Sequence, residues 1–322
     1  MSLNDKMEKA LYGKVKRKAN RAGNINLRSK LNSVLAKKPE VMVKITGFSK
    51  GSGGVKSSLD YITRNGKVEL EDSNGNKYSG KESVKEFFNE WNDFDREKRN
   101  KNQRDAMKMV LSMPAGTDPE ALKKAARDFV KKEFSTNHEY AFALHTDDKH
   151  PHVHVIVKTL GFDQKRLNPR KADIQNWREE FAEKLNEHGI DAEATPRAIR
   201  GKVKKSEAQI LRHIEQEEAK RKPRVSTVKE SQKKAVIGEL SAEKSGIDAK
   251  PKAWDKPIRN QQKEVKKAWN ELADELDKQS SPDDSNLAKR IRVFVDAMPK
   301  VETRSEQMKN DVKKNIKHEH ER

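Results

Sequence analysis

The stretch HTDDKHPHVHVIVKT, residues 145–159, holds four of the nine histidines in the chain. His152 and His154 alternate with three valines, which is the period-two pattern of a β-strand buried on one face. The two histidines therefore share the face opposite the valines. A single His-x-His pair is more often an exposed polar position than a metal site, so the prediction of a site needs a further ligand.

The preceding segment EYAFALHT, residues 139–146, supplies a third histidine in the same phase. An antiparallel hairpin through the TDDKHP turn must superpose the apolar faces of the two strands, because a one-residue slip would bury the histidines. This register predicts His145 opposite or near His152. His145, His152 and His154 then project from one face, roughly 6.5–7 Å apart along a strand, and can share one cation at about 2.0–2.2 Å.

Two nearby residues receive different predictions. Asp147 follows His145 by two positions, and we expect its carboxylate to accept a hydrogen bond from an imidazole and orient it. His150 has the opposite parity, lies in the turn and is predicted to be solvated. Three neutral imidazoles leave coordination positions open for an anionic oxygen, such as that of a phosphodiester, whose developing charge the cation would neutralise.

A metal-assisted attack on phosphate also needs a nucleophile, which can be a bound water or a tyrosine that forms a covalent phosphotyrosine. Of the four tyrosines, Tyr140 has core parity, and Tyr12 and Tyr78 are expected at the surface. Tyr61 lies in SSLDYITRNG, with Arg64 three residues later in reach of a phosphate. The residues alone favour an ordinary amphipathic tyrosine at position 61 over a nucleophile.

The elements that position these residues form an α+β pattern. The segment KGSGG is predicted as a flexible turn, and KVELEDSNGNKYSG as a small exposed hairpin. Strands are predicted at 41–48, 107–116, 139–146 and 152–159, and helices at 57–66, 81–94, 118–134 and 172–189.

Composition restricts the class of partner. The 322-residue chain has 70 Lys and Arg against 51 Asp and Glu, a net charge of +19, which favours a polyanion. The absence of cysteine excludes disulfides and thiolate metal sites. No apolar window is long enough for a membrane span and no signal-peptide pattern is found, so we expect a soluble, cytoplasmic protein without membrane insertion.

The charge pattern also divides the chain into three predicted regions. Residues 1–38 form a basic, weakly helical N-terminal arm, or else a flexible tail. Residues 39–201 hold all the predicted strands and form the compact domain. Residues 202–322 are predicted as a charged, partly flexible helical region, with helices at 205–222, 258–279 and 284–298 and a frayed tail from 300.

Four segments together resemble a known family. LDYITRNG, VLSMPAGTDPEAL, HTDDKHPHVHVIVKT and GFDQKRLNPRKADIQNWREEFAEKLNEHGI, in this order and spacing, resemble the DNA relaxases of conjugative and mobilisable plasmids. The likeness is to the MobP-type relaxase/mobilisation nucleases of the HUH endonuclease superfamily, and it covers roughly residues 40–201. Some relatives carry an asparagine where Lys158 stands, so any role of that asparagine does not transfer.

The resemblance implies a fold and a reaction. The fold is α+β, with a central antiparallel sheet of about five strands, helices on one face and active residues on the other. Tyr61 matches the family's nucleophile and Asp147 the aspartate of its His-x-Asp motif. His145, His152 and His154 match its metal ligands, for Mg²⁺ or Mn²⁺. The reaction is strand-specific nicking at a plasmid origin of transfer through a 5′-phosphotyrosyl adduct.

The resemblance also implies partners: single-stranded or supercoiled plasmid DNA, accessory mobilisation proteins, a type IV secretion coupling protein, and transfer of the protein with the DNA into the recipient cell. For contacts to the DNA we single out one serine on a strand and several basic residues. These candidates are Arg64, Ser112, Lys158, Arg166 and Arg170, with Arg197 and Arg200 as further basic positions.

Three other functions fit parts of the pattern. A rolling-circle replication initiator shares the superfamily but usually places its tyrosine after the histidine pair, and no tyrosine follows Tyr140 here. A non-catalytic DNA-binding relative would not need Tyr61 together with the three histidines. An RNA- or ribosome-associated factor would explain the charge but not the phased histidines.

Overall fold

The computed structural model describes residues 1–13, 26–91, 102–201, 227–246, 253, 255–279 and 281–320. The chain forms two compact units. One comprises Lys14–Thr195, and the other combines Met1–Gly13 with Pro196–Arg322. This division differs from the predicted regions, because the first helix of the chain packs with the C-terminal helices rather than forming a separate arm.

A six-stranded sheet is the centre of the Lys14–Thr195 unit. Its strand order is β1-β4-β6-β5-β2-β3, and each neighbouring pair is antiparallel. The predicted α+β class with a central antiparallel sheet is confirmed. The strands are β1 Met42–Ser49, β2 Leu70–Asp72, β3 Lys77–Tyr78, β4 Ala106–Ser112, β5 Tyr140–His145 and β6 His152–Lys158.

One face of the sheet carries the larger hydrophobic core. Val153, Val155 and Val157 of β6 pair in register with Leu144, Phe142 and Tyr140 of β5, as the alternation predicted. Two amphipathic helices cover this face through buried aromatic side chains such as those of Phe129, Trp177 and Phe181. They are α5 Pro119–Phe134 and α6 Lys171–Glu187, and α2 Leu27–Leu35 precedes β1.

The opposite face carries the histidines and is also partly covered by helices, where the expectation was of helices on one face only. Ala141, Ala143 and Ile156 are buried there under a second apolar cluster. The small alanine side chains let two helices approach the sheet closely, beside the histidines. These helices are α3 Gly51–Ile62 and α4 Lys81–Trp91; position 94, the predicted end of α4, lies outside the described residues.

The β2–β3 hairpin is part of the sheet rather than an exposed addition. β2 pairs with β5, with Glu71 opposite Phe142. Glu71 is buried and forms an ion pair with Arg127 of α5. The prediction of an exposed hairpin was therefore wrong. The sequence did not indicate that Arg127 would pair with an acid at position 71 and allow it into the sheet.

Helix α3 begins earlier than predicted, because GSGG is its first turn and not a flexible loop. The amide of Gly51 donates to Oδ2 of Asp105 at 2.7 Å, and the hydroxyls of Ser49 and Ser58 lie 2.7 Å apart. These contacts fix the helix against the end of β1. The direction of the chain reverses there, so α3 runs back along the sheet and brings Tyr61 to the end where His152 begins β6.

The second unit is helical. Helix α1 Leu3–Tyr12 packs on helix α8 Asp255–Asp277 through buried side chains, and Lys6 and Lys9 pair with Glu275 and Glu271. The tail from 300 was expected to be frayed but is helical over Arg304–His320, and the predicted helix at 205–222 lies outside the described residues. The other helices are α7 Thr227–Lys244, α8 Asp255–Asp277, α9 Pro282–Asp296 and α10 Arg304–His320.

Among the helices in the described ranges, none has the length and hydrophobicity required to cross a membrane.

The turn after α3 depends on close backbone packing at Gly66. Gly66 has φ +86°, and a Cβ there would lie 2.5 Å from the amide nitrogen of Lys81 at the start of α4. Gly75 has the same φ, but a Cβ there would meet nothing within 4 Å. The two positions therefore share the backbone penalty and differ only in the steric clash.

We predict that Gly66→Ala lowers the free energy of unfolding more than Gly75→Ala. The left-handed backbone costs each variant roughly 1–2 kcal/mol, and the clash adds about 1–3 kcal/mol at Gly66 alone. Urea denaturation followed by circular dichroism measures both variants against the wild type. Equal losses in the two variants would show that the approach of Gly66 to α4 is not a tight contact.

Candidate metal and nucleophile site

The three phased histidines meet at one end of the sheet. His145 and His152 are opposite each other in the β5–β6 register, and His154 is opposite Ala143. The ring centroids are 4.5 Å apart for His145 and His154, 5.2 Å for His145 and His152, and 5.0 Å for His152 and His154. One nitrogen of each ring lies within 4.8 Å of the other two, a spacing that one cation can bridge.

Two main-chain carbonyl groups orient these rings. Nε2 of His145 donates to the carbonyl oxygen of Ile62 at 2.6 Å, and Nδ1 of His152 donates to that of His150 at 3.0 Å. A carbonyl can only accept, so these bonds place the lone pairs on Nδ1 of His145 and Nε2 of His152. Sequence analysis did not find these partners, because every residue has a carbonyl group and side-chain type gives no indication of its direction.

Burial favours the uncharged, ligand-competent form of His145 and His154. Burial, followed by the charges of His145 and His152, lowers the pKa of His154 to about 3. Burial also lowers the pKa of His145. Nδ1 of His145 is buried and has no hydrogen-bond partner among the described residues. An orphaned imidazole nitrogen beside two further imidazoles fits a bound divalent cation.

Tyr61 lies on this cluster. Its ring contacts that of His154 edge-on, with the centroids 5.4 Å apart, and its side chain is 54% exposed. The next residue, Ile62, gives the carbonyl that orients His145. The phenol and the cluster are therefore positioned by the same last turn of α3.

The other three tyrosines are unsuitable as nucleophiles. Tyr140 is in the core, as predicted, and its burial raises its pKa to about 12. Tyr12 was expected at the surface but is buried in the helical unit. Tyr78 is also not freely exposed, since it is half-buried and its hydroxyl donates to Asp72 at 3.1 Å. All four tyrosines lie in the described ranges, and Tyr61 alone is both exposed and next to the histidines.

Arg64 and Asp147 form an ion pair at the rim of the site. Nη2 of Arg64 donates to Oδ2 of Asp147 at 2.7 Å, and the guanidinium lies 5.3 Å from the Tyr61 ring centroid. Burial alone would raise the pKa of Asp147, but the hydrogen bond and charge of Arg64 outweigh it and lower that pKa. The expected hydrogen bond from an imidazole to the Asp147 carboxylate is not formed, because Oδ1 of Asp147 is 3.9 Å from Nδ1 of His145.

The backbone holds Arg64 in an unusual conformation. Arg64, Asn65 and Gly66 have φ values of +51°, +57° and +86°. Thr63 is fully buried, and its hydroxyl donates to the carbonyl of Leu59 and accepts from the amide of Gly66. This left-handed turn directs the chain away from α3 while keeping the Arg64 guanidinium over Tyr61.

Ser112 shares the histidine face, since β4 pairs it with His152. It is buried, and its hydroxyl donates to the carbonyl of Pro151 at 3.3 Å. Ser112 therefore supports the turn before β6, and this geometry gives no direct argument for a contact with DNA.

The other predicted DNA contacts lie away from the cluster. Lys158 is at the far end of β6, buried, and its Nζ is 2.5 Å from Glu139, so it is not a free phosphate ligand. Arg166 donates to the carbonyl of Arg104 at 2.9 Å and fastens the loop after β6. Arg170 is exposed but precedes α6, which packs on the opposite face.

Comparison with known proteins supports the resemblance stated above. Residues 61–190 match the family model described as Relaxase: MobA/VirD2-like, nuclease domain. The matched segment starts at Tyr61 and includes all three clustered histidines. The predicted likeness to relaxases is thereby confirmed for this segment.

Individual relatives agree with the family model. The chain is 28% identical over 182 residues to the T-DNA border endonuclease VirD2 of Rhizobium radiobacter, covering 50% of this chain and 43% of that protein. It is 26% identical over 182 residues to the proteins of the same name from Rhizobium rhizogenes and Agrobacterium fabrum, covering 50% of this chain and 42% and 41% of theirs. The chain thus spans less than half the length of these relatives.

We predict that a divalent cation stabilises the protein through the cluster. At a Mn²⁺ concentration 100 times the dissociation constant, binding to the folded state adds about 2.7 kcal/mol, and the thermal midpoint rises. His154→Ala removes one ligand and should abolish the rise. His150→Ala is the matched control, because it removes an exposed imidazole and keeps the carbonyl that orients His152. A rise of equal size in wild type and His154→Ala would exclude the cluster as the site.

Proposed function

We propose that the protein is a DNA relaxase that nicks one strand at a plasmid origin of transfer. Its residues 61–190 match the MobA/VirD2-like relaxase nuclease domain. The observation that carries the proposal is the contact of the exposed Tyr61 ring with His154 in the cluster of three histidines. This chemistry needs a nucleophile and a cation site that can act on the same phosphate.

The reaction is a transesterification. The phenolic oxygen of Tyr61 attacks the scissile phosphorus, a Tyr61 O–P bond forms, and the bond from phosphorus to the 3′ oxygen breaks. The products are a 5′-phosphotyrosyl adduct and a DNA strand with a free 3′ hydroxyl. Attack of that hydroxyl on the adduct reverses the step and reseals the strand, so the bond energy is conserved.

His145, His152 and His154 would hold the divalent cation. When bound, the cation would neutralise charge on the phosphate oxygens and act as a Lewis acid. Mg²⁺ and Mn²⁺ are the candidates, and we propose Mn²⁺ of the two, because three nitrogen ligands suit a transition metal better than Mg²⁺, which prefers oxygen.

Arg64 and Asp147 complete the proposed chemistry. The guanidinium of Arg64 is placed over the Tyr61 ring, where it can contact the scissile phosphate and favour the phenoxide. The carboxylate of Asp147 lies beside both Arg64 and His145, and we propose that it receives the phenol proton. A tyrosine in water has a pKa near 10. A positive charge from Arg64 and a proton acceptor in Asp147 would therefore favour formation of the phenoxide at neutral pH.

The substrate is proposed from charge and from the relatives. The net charge of +19 suits nucleic acid, and the relatives are named as endonucleases of T-DNA borders. We propose a single-stranded or supercoiled plasmid origin of transfer as the corresponding site here. A rolling-circle replication initiator would form the same type of adduct on a replication origin, so DNA specificity separates the two.

The test is adduct formation on labelled oligonucleotides that span the candidate transfer origin, with Mn²⁺, Mg²⁺ or chelator, on denaturing protein gels. We predict a metal-dependent adduct with wild type and none with Tyr61→Phe, since the phenol oxygen is the attacking atom. Tyr78→Phe is the control, because it removes a hydroxyl that donates to Asp72 away from the cluster.

The outcomes differ clearly. An adduct that survives Tyr61→Phe would place the nucleophile elsewhere. Tight binding of the cognate DNA without any adduct would support the non-catalytic alternative. An adduct on a replication origin but not on the transfer origin would support the initiator.

A further inference from the structure

The histidine face of the sheet is unequally covered. Helices α3 and α4 bury its β5 side, where Ala141, Ala143 and Ile156 pack beneath them. On the β1 side, Met42 is 47% exposed and Lys44 is exposed, although both lie on the same face as the histidines. A surface directly beside the cluster is thus open among the described residues.

Strand register connects this surface to the site. Lys44 of β1 pairs with Val110 of β4, and Val110 pairs with His154 of β6. Adjacent strands are about 4.8 Å apart, so Lys44 is roughly 10 Å from the histidine that contacts Tyr61. Lys108 lies one step further along the same face of β4, opposite Ile156, and reaches across Gly47.

The two lysines on this face have no acidic partner in the part of the chain that the structure describes. Many of its other basic side chains lie beside a carboxylate, as Lys123 does with Glu69 and Lys132 with Glu180. Neither Lys44 nor Lys108 has an ion pair with any residue in the described ranges. Two lysines without a carboxylate partner among the described residues, Lys44 exposed and Lys108 half-buried, therefore lie on the face that carries the nucleophile.

Helix α3 borders the same surface with small side chains. Ser58 contacts Ser49 of β1, and the Cβ position of Gly54 would be 3.9 Å from Ser49, so this flank of α3 faces β1. Tyr61 follows Ser58 by three residues and lies on the same helical flank. The flank that leads to the nucleophile therefore packs against the end of β1, and the exposed Tyr61 follows it toward the strand that carries His154.

We infer that Lys44, Lys108 and the exposed Met42 form a track, the β1–β4 track, that binds single-stranded DNA next to the scissile phosphate. The two ammonium groups neutralise phosphates, and Met42 offers an apolar contact for a base. The inference rests on the proposed function for the identity of the reacting phosphate. The binding of phosphates by the track is inferred separately, from the two lysines without ion pairs in the described ranges and from the strand register that places Lys44 near His154.

The track predicts a specific salt dependence. For single-stranded DNA the logarithm of the binding constant falls with the logarithm of salt concentration, with a slope of about −0.7 for each phosphate neutralised. Lys44→Gln with Lys108→Gln should make the slope shallower by about 1.4 and weaken binding about tenfold near 0.1 M salt, as expected for the loss of two charge contacts.

The matched control is Lys124→Gln with Lys131→Gln. These lysines are exposed on α5, on the opposite face of the sheet, and have no ion pair within the described ranges. The double variant loses the same net charge. Fluorescence anisotropy with single-stranded oligonucleotides at several salt concentrations compares both pairs with wild type, and Lys44→Arg with Lys108→Arg should restore the wild-type slope.

Equal slope changes in both glutamine pairs would overturn the track in favour of a general charge effect, and so would an unchanged slope in the Lys44 and Lys108 pair. Circular dichroism and thermal midpoints identify a folding defect, and the arginine pair then provides the comparison. Adduct formation by wild type is measured on the same oligonucleotides. A missing adduct would refute the proposed chemistry, whereas the slopes test the track independently.

Discussion

One hydrogen bond connects the two parts of the site. The imidazole of His145 donates to the carbonyl of Ile62, and the residue before Ile62 is Tyr61. The position of the histidine cluster on the sheet and the position of the phenol on α3 are therefore not independent. Any shift of the last turn of α3 moves the phenol and rotates a metal-ligand candidate together. The helix start at Gly51, the Ser49–Ser58 contact and the close approach at Gly66 all restrict that shift.

Much of this arrangement could be predicted from sequence, because strand alternation is a strong constraint. Valines and histidines alternate in β6, and burying the valines leaves one register for β5, which places His145 opposite His152. The helices on the core face followed from apolar spacing in the same way. These features depend on side-chain type at fixed periods, which a single sequence displays directly.

The features that could not be predicted depend on contacts distant in sequence. The segment GSGG has the composition of a loop, but the carboxylate of Asp105, more than fifty residues later, accepts from the Gly51 amide at the start of a helix. Glu71 is expected to be exposed from its residue type, but it is buried in the sheet in an ion pair with Arg127. Lys158 looked like a phosphate ligand because Glu139 and Trp91 cannot be recognised as its neighbours from sequence. Lys44 and Lys108 were visible in the alternation of β1 and β4, but only the fold shows that they lack partners in the described residues.

The left-handed turn at Arg64, Asn65 and Gly66 has a consequence for recognition. The side chain of a surface arginine normally loses much conformational entropy when it binds a phosphate. Here the backbone, the Tyr61 ring and Asp147 already restrict the guanidinium before any ligand arrives. Exchanging the Asp147 carboxylate for a phosphate would then substitute one anion for another with little further ordering. If Arg64 contacts the scissile phosphate as proposed, its side chain would therefore be ordered when the protein folds and not when the DNA binds.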